Sequence, residues 1–395
     1  MNAPLSKVIT LPASDFAEKN KKNTKQVSKD SRVIPSSNIQ NIYSLYTSEF
    51  SNLEIANLKY YLESSRKGLN FWKSLLFEYI RRIDLRISAV CQTRKLSVLG
   101  KTYSIECNDS GTKAFAEKFI SKITNLQNFF TDIVESSIQG LSIFEINYKF
   151  CDEKIFIDNI RRIQNHLIVY DDLSEEYLIL DALKTSAINL RLASGAIADR
   201  IDVKTLPLLD VQEEKILEVH SFDGDSPNGF LNGCIDSLIL AYFFKSYSVK
   251  DWQVFIEKFA SPTVVGKYSA LNQHDKNSLM LAIQNLKNNA SAIIPSEADI
   301  IFRGDENKGE GSAVFNSNID FWNNEITIRV LGQNLTTSLD NKGSYAAAQV
   351  HNAVRHDIIQ SDLTLIENTM NSLIKKVVDL NFADVNEYPV FLFNK

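Results

Sequence analysis

The residue types best suited to chemistry lie in one stretch of this sequence. Residues 332–351 read GQNLTTSLDNKGSYAAAQVH, and Arg355 and His356 follow a few positions later. A polar segment that is bracketed by glycines and ends on a histidine is compatible with an active-site loop, a phosphate-binding loop, or a loop that has only to move and stay hydrated. The choice depends on which other residues can join it to form a site.

The histidines of this stretch do not converge. His351 and His356 are five residues apart, so on a helix they point about 140° apart and cannot easily share one metal ion. An enzyme that processes phosphates with His351, Arg355 and Asp357 is one alternative, and it predicts turnover or a bound metal. The sequence contains no G-x-S-x-G, H-E-x-x-H or complete phosphate-loop pattern. We therefore expect no enzyme activity, no catalytic residue, no metal site and no cofactor.

The composition restricts the possible partners and compartments. The chain has 395 residues and a formal net charge of -5, which argues against a broad basic surface that binds nucleic acid. The most apolar run, 238–244, is far shorter than the roughly 20 residues that cross a bilayer, so no membrane span is expected. The cysteines are dispersed and predict neither a disulfide framework nor a zinc site, which fits a reducing cytoplasm. They are Cys91, Cys107, Cys151 and Cys234.

The first half of the chain mixes helical and strand patterns. Residues 1–38 are rich in Lys, Asn, Ser and Thr and are expected to form a disordered arm. Apolar periodicity then predicts three helices between 53 and 96, a strand at 101–107, one or two helices within 112–138 and a strand at 141–150. Glu145 in that strand is expected at a solvated or hydrogen-bonded position. Short apolar runs between 154 and 220 predict a β-rich segment.

The second half carries the strongest pattern. Long helices are expected at 230–260 and 312–331. A third begins near 346, and its apolar stripe comprises Ile359, Leu363, Ile366, Met370, Leu373, Val377 and Leu380. A small α/β insertion at 261–311 separates the first two, because Pro262 ends the first helix, and a hydrophilic loop at 304–312 leads into the second. The residues expected to pack these helices, against each other or against a neighbouring subunit, are Leu231, Ile235, Leu238, Tyr242, Trp252, Ile256, Phe315, Ile319, Trp322 and Ile326.

Several segments, taken in order, resemble the portal protein family of phage Mu type. The resemblance covers roughly residues 45–385 and includes the pattern LGQ-x-LTT from 331 to 337. The segments that carry it are IRRIDLRISAVCQTRKLSVLG at 80–100, GLSIFEINYKF at 140–150, IEKFASPTVVGKYSA at 256–270, AIIPSEADIIF at 292–302 and GSYAAAQVHNAVRHDIIQSDLTLIENTMNSLIKKVVDLNF at 343–382.

The resemblance implies an architecture and a function. Portal proteins form a ring, usually a dodecamer, at one vertex of a tailed-phage capsid, through which double-stranded DNA is packaged and ejected without sequence specificity. The implied fold is α+β, helix-rich, with long stem helices, a β-rich wing and a small α/β clip. The implied divisions are a disordered arm at 1–38, a wing-like domain at 39–229, stem helices at 230–260 and 312–331, a clip at 261–311, a tunnel loop at 332–345, and a C-terminal helix with a short tail at 346–395.

The partners and site residues are implied in the same way. The partners would be further copies of the chain, the large terminase subunit, the head-tail adaptor, and the major capsid and scaffold proteins, with the virion as location and the bacterial cytoplasm as place of assembly. Lys342 is the candidate for a transient phosphate contact, against the simpler interpretation of an exposed lysine. The expected loop lining comprises Asn334, Thr336, Thr337, Ser338, Asn341 and Lys342.

Two points complete the expectation. Relatives often continue beyond the segment that matches 380–382, so the long helical crown of the family is expected to be reduced or absent here. The other alternative to a portal is a structural head-tail protein without a channel, such as an adaptor or a minor capsid component, which long helices and acidic charge would also suit. Ring size and an axial opening distinguish the two.

Overall fold

The computed structural model describes most of the chain. The described residues are 53–181, 206, 208–259, 264–268, 280, 291–295, 308–334, 345–383 and 385–394. The arm expected at 1–38 and the tunnel-loop positions from 335 to 344 lie outside the described residues.

Three helices begin the described chain, as the apolar periodicity predicts. They are α1 (Ile55–Arg66), α2 (Phe71–Ile83) and α3 (Leu85–Leu96). Asp84 separates the last two, and its carboxylate accepts a hydrogen bond from the backbone N–H of Ile87 at 2.9 Å, an N-cap that starts α3. The inner sides of these helices, including Leu76, Ile80 and Val90, are buried in one core.

A short strand, two helices and a three-stranded antiparallel sheet come next. The elements are β1 (Tyr103–Glu106), α4 (Ser110–Lys122), α5 (Leu126–Gln139), β2 (Leu141–Cys151), β3 (Lys154–Arg162) and, further along, β6 (Ile216–His220). The sheet order is β3–β2–β6, which makes β2 the central strand. Glu145 was expected at a solvated or hydrogen-bonded position. It is not solvated, because the first six residues of the central strand are all buried.

The turn from α5 into β2 requires a glycine. Gly140 has a φ of +88°, and a Cβ at this position would lie 2.1 Å from the carbonyl oxygen of Gly229 and 2.4 Å from that of Asn232. Gly233 also has a positive φ, +77°. The end of α5 therefore packs directly against the segment that leads into the first long helix.

The remaining β structure of this region is a hairpin. It consists of β4 (Ile168–Asp171) and β5 (Glu176–Ile179), which pair antiparallel from Ile168↔Ile179 to Asp171↔Glu176. Together with β3 and β6 it gives the β-rich character that was expected between 154 and 220, although 182–205 lie outside the described residues.

Two long helices follow with bounds that differ from the expected ones. They are α6 (Ile235–Phe259) and α7 (Lys308–Leu331). The first starts five residues after 230, because Gly229–Leu231 forms a 3-10 turn and the positive φ of Gly233 cannot continue a helix. The second starts four residues before 312 and includes the end of the expected hydrophilic loop. Within the insertion, β7 (Val264–Tyr268) pairs in parallel with β8 (Ser291–Pro295).

The C-terminal part folds back onto the first half. Helix α8 (Tyr345–Asp379) buries Ile366, Met370 and Ile374 in the same core as α4, α5 and the sheet. Strand β9 (Val390–Phe393) pairs antiparallel with β1, and the rings of Phe391 and Tyr103 stack at 4.6 Å. Leu380, expected to continue the apolar stripe of α8, lies past the helix end and is exposed. Among the described helices, none combines the length and apolar character needed to cross a membrane.

Candidate assembly site on the paired helices

Helices α6 and α7 run antiparallel and pack along each other. The rings of Phe244 and Trp322 stack with centroids 5.6 Å apart and planes 13° apart. Farther along, Asn318 donates a hydrogen bond to the hydroxyl of Ser248 at 2.8 Å. Mixed apolar and polar contacts of this kind fix both the spacing and the register of the pair. We call its end near Ile235 and Leu331 the base, and the opposite end the far end.

A buried lysine anchors the start of α6. The Nζ of Lys73 on α2 donates to the carbonyl oxygen of Phe230 at 2.6 Å and lies 2.9 Å from a carboxylate oxygen of Asp236 in the first turn. Burial lowers the pKa of Lys73, and the charge and hydrogen bond of Asp236 act against that lowering. The lysine thus joins the first helical layer to the base of the pair.

A second ion pair lies two turns farther along α6. Lys245 forms an ion pair with Asp84 at 2.5 Å and also donates to the side-chain oxygen of Asn323 on α7 at 3.1 Å. Because Asp84 also caps α3, this carboxylate connects the start of α3 with both long helices.

The third anchor joins three helices. Arg94 on α3 forms a bidentate pair with Asp362 on α8, with two N–H···O distances of 2.9 Å, and donates to the carbonyl oxygen of Val330 at 3.2 Å. Ser137 donates to the same carboxylate at 2.9 Å. Burial alone would lower the pKa of Arg94, but the hydrogen bonds and charge of Asp362 outweigh it and raise the pKa. The side chain of Arg94 therefore binds both the end of α7 and the middle of α8.

A buried carboxylate lies behind these anchors. Glu135 on α5 is fully buried and pairs with Arg81 at 2.5 Å and with Lys95 at 2.9 Å. Burial raises its pKa, but the charges of Arg81, Arg162 and Lys95 outweigh burial and bring it down to about 2. Glu135 thus stays ionised and holds α2, α3 and α5 together.

One face of the α6–α7 pair is covered by α2, which packs on α6, and by α3, which packs on α7, and the other face exposes apolar side chains. On α7 the buried residues Thr327 and Val330 mark the covered side. Two rows of exposed residues repeat every seven positions, with the exposed Phe244 beside the first; the rows are Leu240, Tyr247 and Val254 on α6, and Val314, Phe321 and Ile328 on α7. A rotation of 100° per residue turns both rows away from α3, to the same side of the pair. We call the base half of this surface, Leu240, Phe244, Tyr247, Phe321 and Ile328, the open face.

The residues predicted to pack the long helices fall into three groups. Ile235, Leu238 and Ile326 are buried at the base in the core that contains α1 to α3. The half-buried residues are Leu231, which lies in the 3-10 turn rather than in α6, Tyr242, Trp252, Phe315, Ile319 and Trp322. Ile256 is exposed. The prediction missed the open face, although the seven-residue spacing of its two rows is visible in the sequence.

Of the expected loop residues, only Asn334 is described. It is half-buried and follows Gln333, which is buried, and Gly332, whose φ is +72°. A Cβ at Gly332 would lie 2.6 Å from the Cδ1 of Ile358, so the chain leaves α7 in close contact with α8. Thr336, Thr337, Ser338, Asn341 and Lys342 lie outside the described residues.

Of the three residues of the phosphate-processing alternative, the side chains of Arg355 and Asp357 are described and that of His351 is not. His356 and Asp357 are exposed on α8, and Arg355 is half-buried. No group of three or more His, Cys, Asp or Glu side chains among the described residues could hold a metal ion. The arrangement can therefore fix helices and present an apolar surface to another molecule.

A family model described as "Portal protein of Mu bacteriophage" matches residues 74–395. The chain belongs to this portal family. The match includes the anchors described above, apart from Lys73, which lies one residue before it, and it includes the whole open face.

Two curated members of the portal family align with part of the chain. The portal protein of Escherichia phage Mu is 31% identical over 169 residues, which cover 41% of this chain and 32% of that protein. The "Mu-like prophage FluMu protein gp29" of Haemophilus influenzae is 31% identical over 175 residues, covering 42% of this chain and 33% of that protein. The aligned part thus spans about a third of the length of these relatives.

One solved structure is also similar to this portal-family chain. A chain of the structure titled "Neck of empty GTA particle computed with C6 symmetry" superposes with a TM-score of 0.48 and 9% sequence identity, over 79% of this chain and 81% of that one.

Proposed function

We propose that the chain forms a ring at one vertex of a tailed-phage capsid, through which double-stranded DNA is packaged and ejected. The observation that carries this proposal is membership of the portal family over residues 74–395. The anchored α6–α7 pair supports it, because helices that are fixed at one end and apolar along a side suit the wall of a ring. A ring of twelve copies is the expected assembly.

The charge of the chain fits a channel that does not retain DNA. A basic wall would bind each passing phosphate, whereas a chain with a net charge of -5 leaves the duplex weakly held. In this proposal residues 332–345 form the tunnel loop, where polar side chains must move and stay hydrated. Lys342 would contact phosphates transiently. The protein would act without catalysis and without a cofactor.

The proposed partners follow from the position of such a ring. The insertion at 261–311, with its parallel β7–β8 pair, would contact the large terminase subunit during packaging and the head-tail adaptor afterwards. The region formed by α1 to α5 and the sheet would contact the major capsid and scaffold proteins. The protein would be assembled in the bacterial cytoplasm and would end in the virion.

Negative-stain electron microscopy combined with native mass spectrometry on the same sample tests the proposal. We expect rings with an axial opening wide enough for duplex DNA, and a mass near twelve times 44.7 kDa. A nitrocellulose filter assay with linear duplexes of unrelated sequence should show equally weak retention for all of them, decreasing further with salt.

Two results would contradict the proposal. Assemblies without an axial opening would indicate an adaptor or minor capsid component instead. A chain that stays monomeric, even when it is co-expressed with the capsid and scaffold proteins of its own phage or prophage, would rule out the ring.

A further inference from the structure

The outer side of helix α3 carries three exposed apolar residues, with the exposed Gln92 among them. Leu85, Ala89 and Leu96 are all exposed, and their spacing of four and seven residues puts them within about 40° of each other around the helix. Leu85 is 87% exposed. The opposite side of α3, with Ile87 and Val90, is buried against the rest of the chain. We call Leu85, Ala89 and Leu96 the outer face of α3.

This outer face and the open face lie on opposite sides of one layer. Helix α3 packs against α7 from the side that buries Thr327 and Val330. The open face is on the other side, where Phe321 is 52% exposed and Tyr247 is 44% exposed. The layer formed by α3, α6 and α7 therefore presents an apolar surface in two opposite directions.

The two surfaces also lie at the same height along the pair. At one end of α3, Asp84 binds Lys245, and at the other end Arg94 binds the carbonyl oxygen of Val330. The stretch of the pair between these two anchors also carries most of the open face, and Tyr247 and Phe321 each lie within about one turn of it. In a ring whose axis runs along the pair, rotation alone requires this match in height, because each subunit then meets the next without a shift along the axis.

We propose that the open face of one subunit packs against the outer face of α3 in the next subunit, and that this head-to-tail contact joins the base of the ring. The inference rests on the proposed function, since it assigns the contact surfaces of the proposed ring. A second copy is the fitting occupant because it supplies an exposed apolar surface at the matching height. The contact is heterologous: each subunit uses one surface toward one neighbour and the other surface toward the other.

Cysteine cross-linking tests the assignment. The background is the full chain with Cys107→Ser and Cys151→Ser, since these two thiols are only partly buried. Cys91 and Cys234 stay in place because they are buried, and burial raises the pKa of the Cys234 thiol to about 11. Phe321→Cys reports on the open face and Leu85→Cys on the outer face of α3. Ser121→Cys, exposed on α4, replaces Phe321→Cys in the matched control.

The proposal predicts a distinct pattern for each variant. With a short bis-maleimide, the chain carrying both Leu85→Cys and Phe321→Cys should give a ladder of cross-linked species up to the full ring. Each single variant alone should give at least tenfold less cross-linked product, and a mixture of the two single variants should give dimers only. The pair of Leu85→Cys and Ser121→Cys should give no ladder.

The failures can be told apart. Rings in the microscope without cross-linking would overturn the assigned surfaces and leave the portal proposal intact. Self-cross-linking of one single variant would show a two-fold contact instead of a head-to-tail one. If neither rings nor cross-links form, both proposals are overturned. Maleimide labelling of Phe321→Cys should be at least tenfold faster in dissociated subunits than in rings; equally slow labelling would mean that the chain itself covers the open face.

Discussion

The two ends of the α6–α7 pair are held by different forces. At the base, charged side chains join the pair to the rest of the chain; they are Lys73 on α2, Lys245 on α6 with its partner Asp84, and Arg94 on α3. Toward the far end, the helices hold each other through Asn318 with Ser248 and through the rings of Phe255 and Phe315, whose centroids are 5.7 Å apart.

The difference indicates that side chains outside the pair fix the geometry of the base, whereas contacts between the two helices fix the far end. A buried ion pair is sensitive to direction and to the loss of one partner, so it fixes the angle at which the pair leaves the core. Contacts between partly exposed aromatic rings tolerate small displacements. The comparison therefore predicts large effects of substitution at the base and small effects at the far end.

Asp362→Ala should have the largest effect. It leaves the half-buried Arg94 without its bidentate partner and removes the acceptor of Ser137, which should lower the free energy of unfolding by about 3–5 kcal/mol. Urea unfolding measures the loss. The double variant Arg94→Met with Asp362→Leu is the control, because it removes both charges and should recover most of the stability. A single variant as stable as the parent chain would show that the base is not held by this pair.

Gly140→Ala should come next, because it disturbs the contact between α5 and the start of α6. Its new Cβ would meet two carbonyl oxygens, whereas Gly100, with a φ of +77°, has nothing within 4 Å of an added Cβ. Gly100→Ala should cost about 1–2 kcal/mol from backbone strain alone. Gly140→Ala should cost about 1–3 kcal/mol more from the overlap. Equal urea midpoints for the two variants would mean that the turn shifts to accommodate the new Cβ without loss of stability.

Acid should weaken the fold through His166, which is buried with its ring 5.8 Å from that of Phe71 on α2. Burial, with a smaller effect of the charge on Arg162, lowers the pKa of this histidine to about 4 from 6.5. The unfolded chain therefore binds the proton more tightly, and stability is lost as the pH falls from 6.5 toward 4. The loss between pH 7 and 5 should be about 2 kcal/mol, and His166→Gln should remove that part of the pH dependence in urea unfolding. Glu135 contributes at lower pH. The stabilisation from its ionised carboxylate is lost as the pH falls from about 4.5 to about 2. An unchanged slope in His166→Gln would assign the acid sensitivity to other groups.

Local periodicity predicted the helices well because each buries one side. The stripe predicted from Ile359 to Leu380 is an example: its members from Leu363 to Val377 are buried, Ile359 is half-buried and Leu380 is exposed. The helix starts were predicted less well. Leu231 continues the apolar spacing of α6, but the backbone at Gly233 interrupts the helix, and spacing carries no information on φ.

The anchors could not be predicted because they join distant parts of the sequence. Arg94 and Asp362 are 268 positions apart, and neither has a local pattern that indicates its partner. The pairing of β1 with β9 is equally non-local. The part of the open face on α7 was predictable in principle, since Phe321 and Ile328 are seven residues apart, but the alternative stripe through Phe315 and Trp322 fits the same helix. Only the contact with α6 decides which stripe lies inside the pair.

Phe315→Ala should have the smallest effect on stability, and that effect should be confined to the far end of the pair. Removing one ring of the Phe255–Phe315 contact should cost about 1 kcal/mol, because both side chains are only half-buried. The urea midpoint should barely change, since the buried anchors of the base stay intact. Hydrogen exchange should speed up several-fold for amides near 248–256 and 313–320, and stay the same near 235–242 and 326–331. Faster exchange along the entire pair would mean that base and far end unfold as one unit, and the distinction between them would then have no energetic basis.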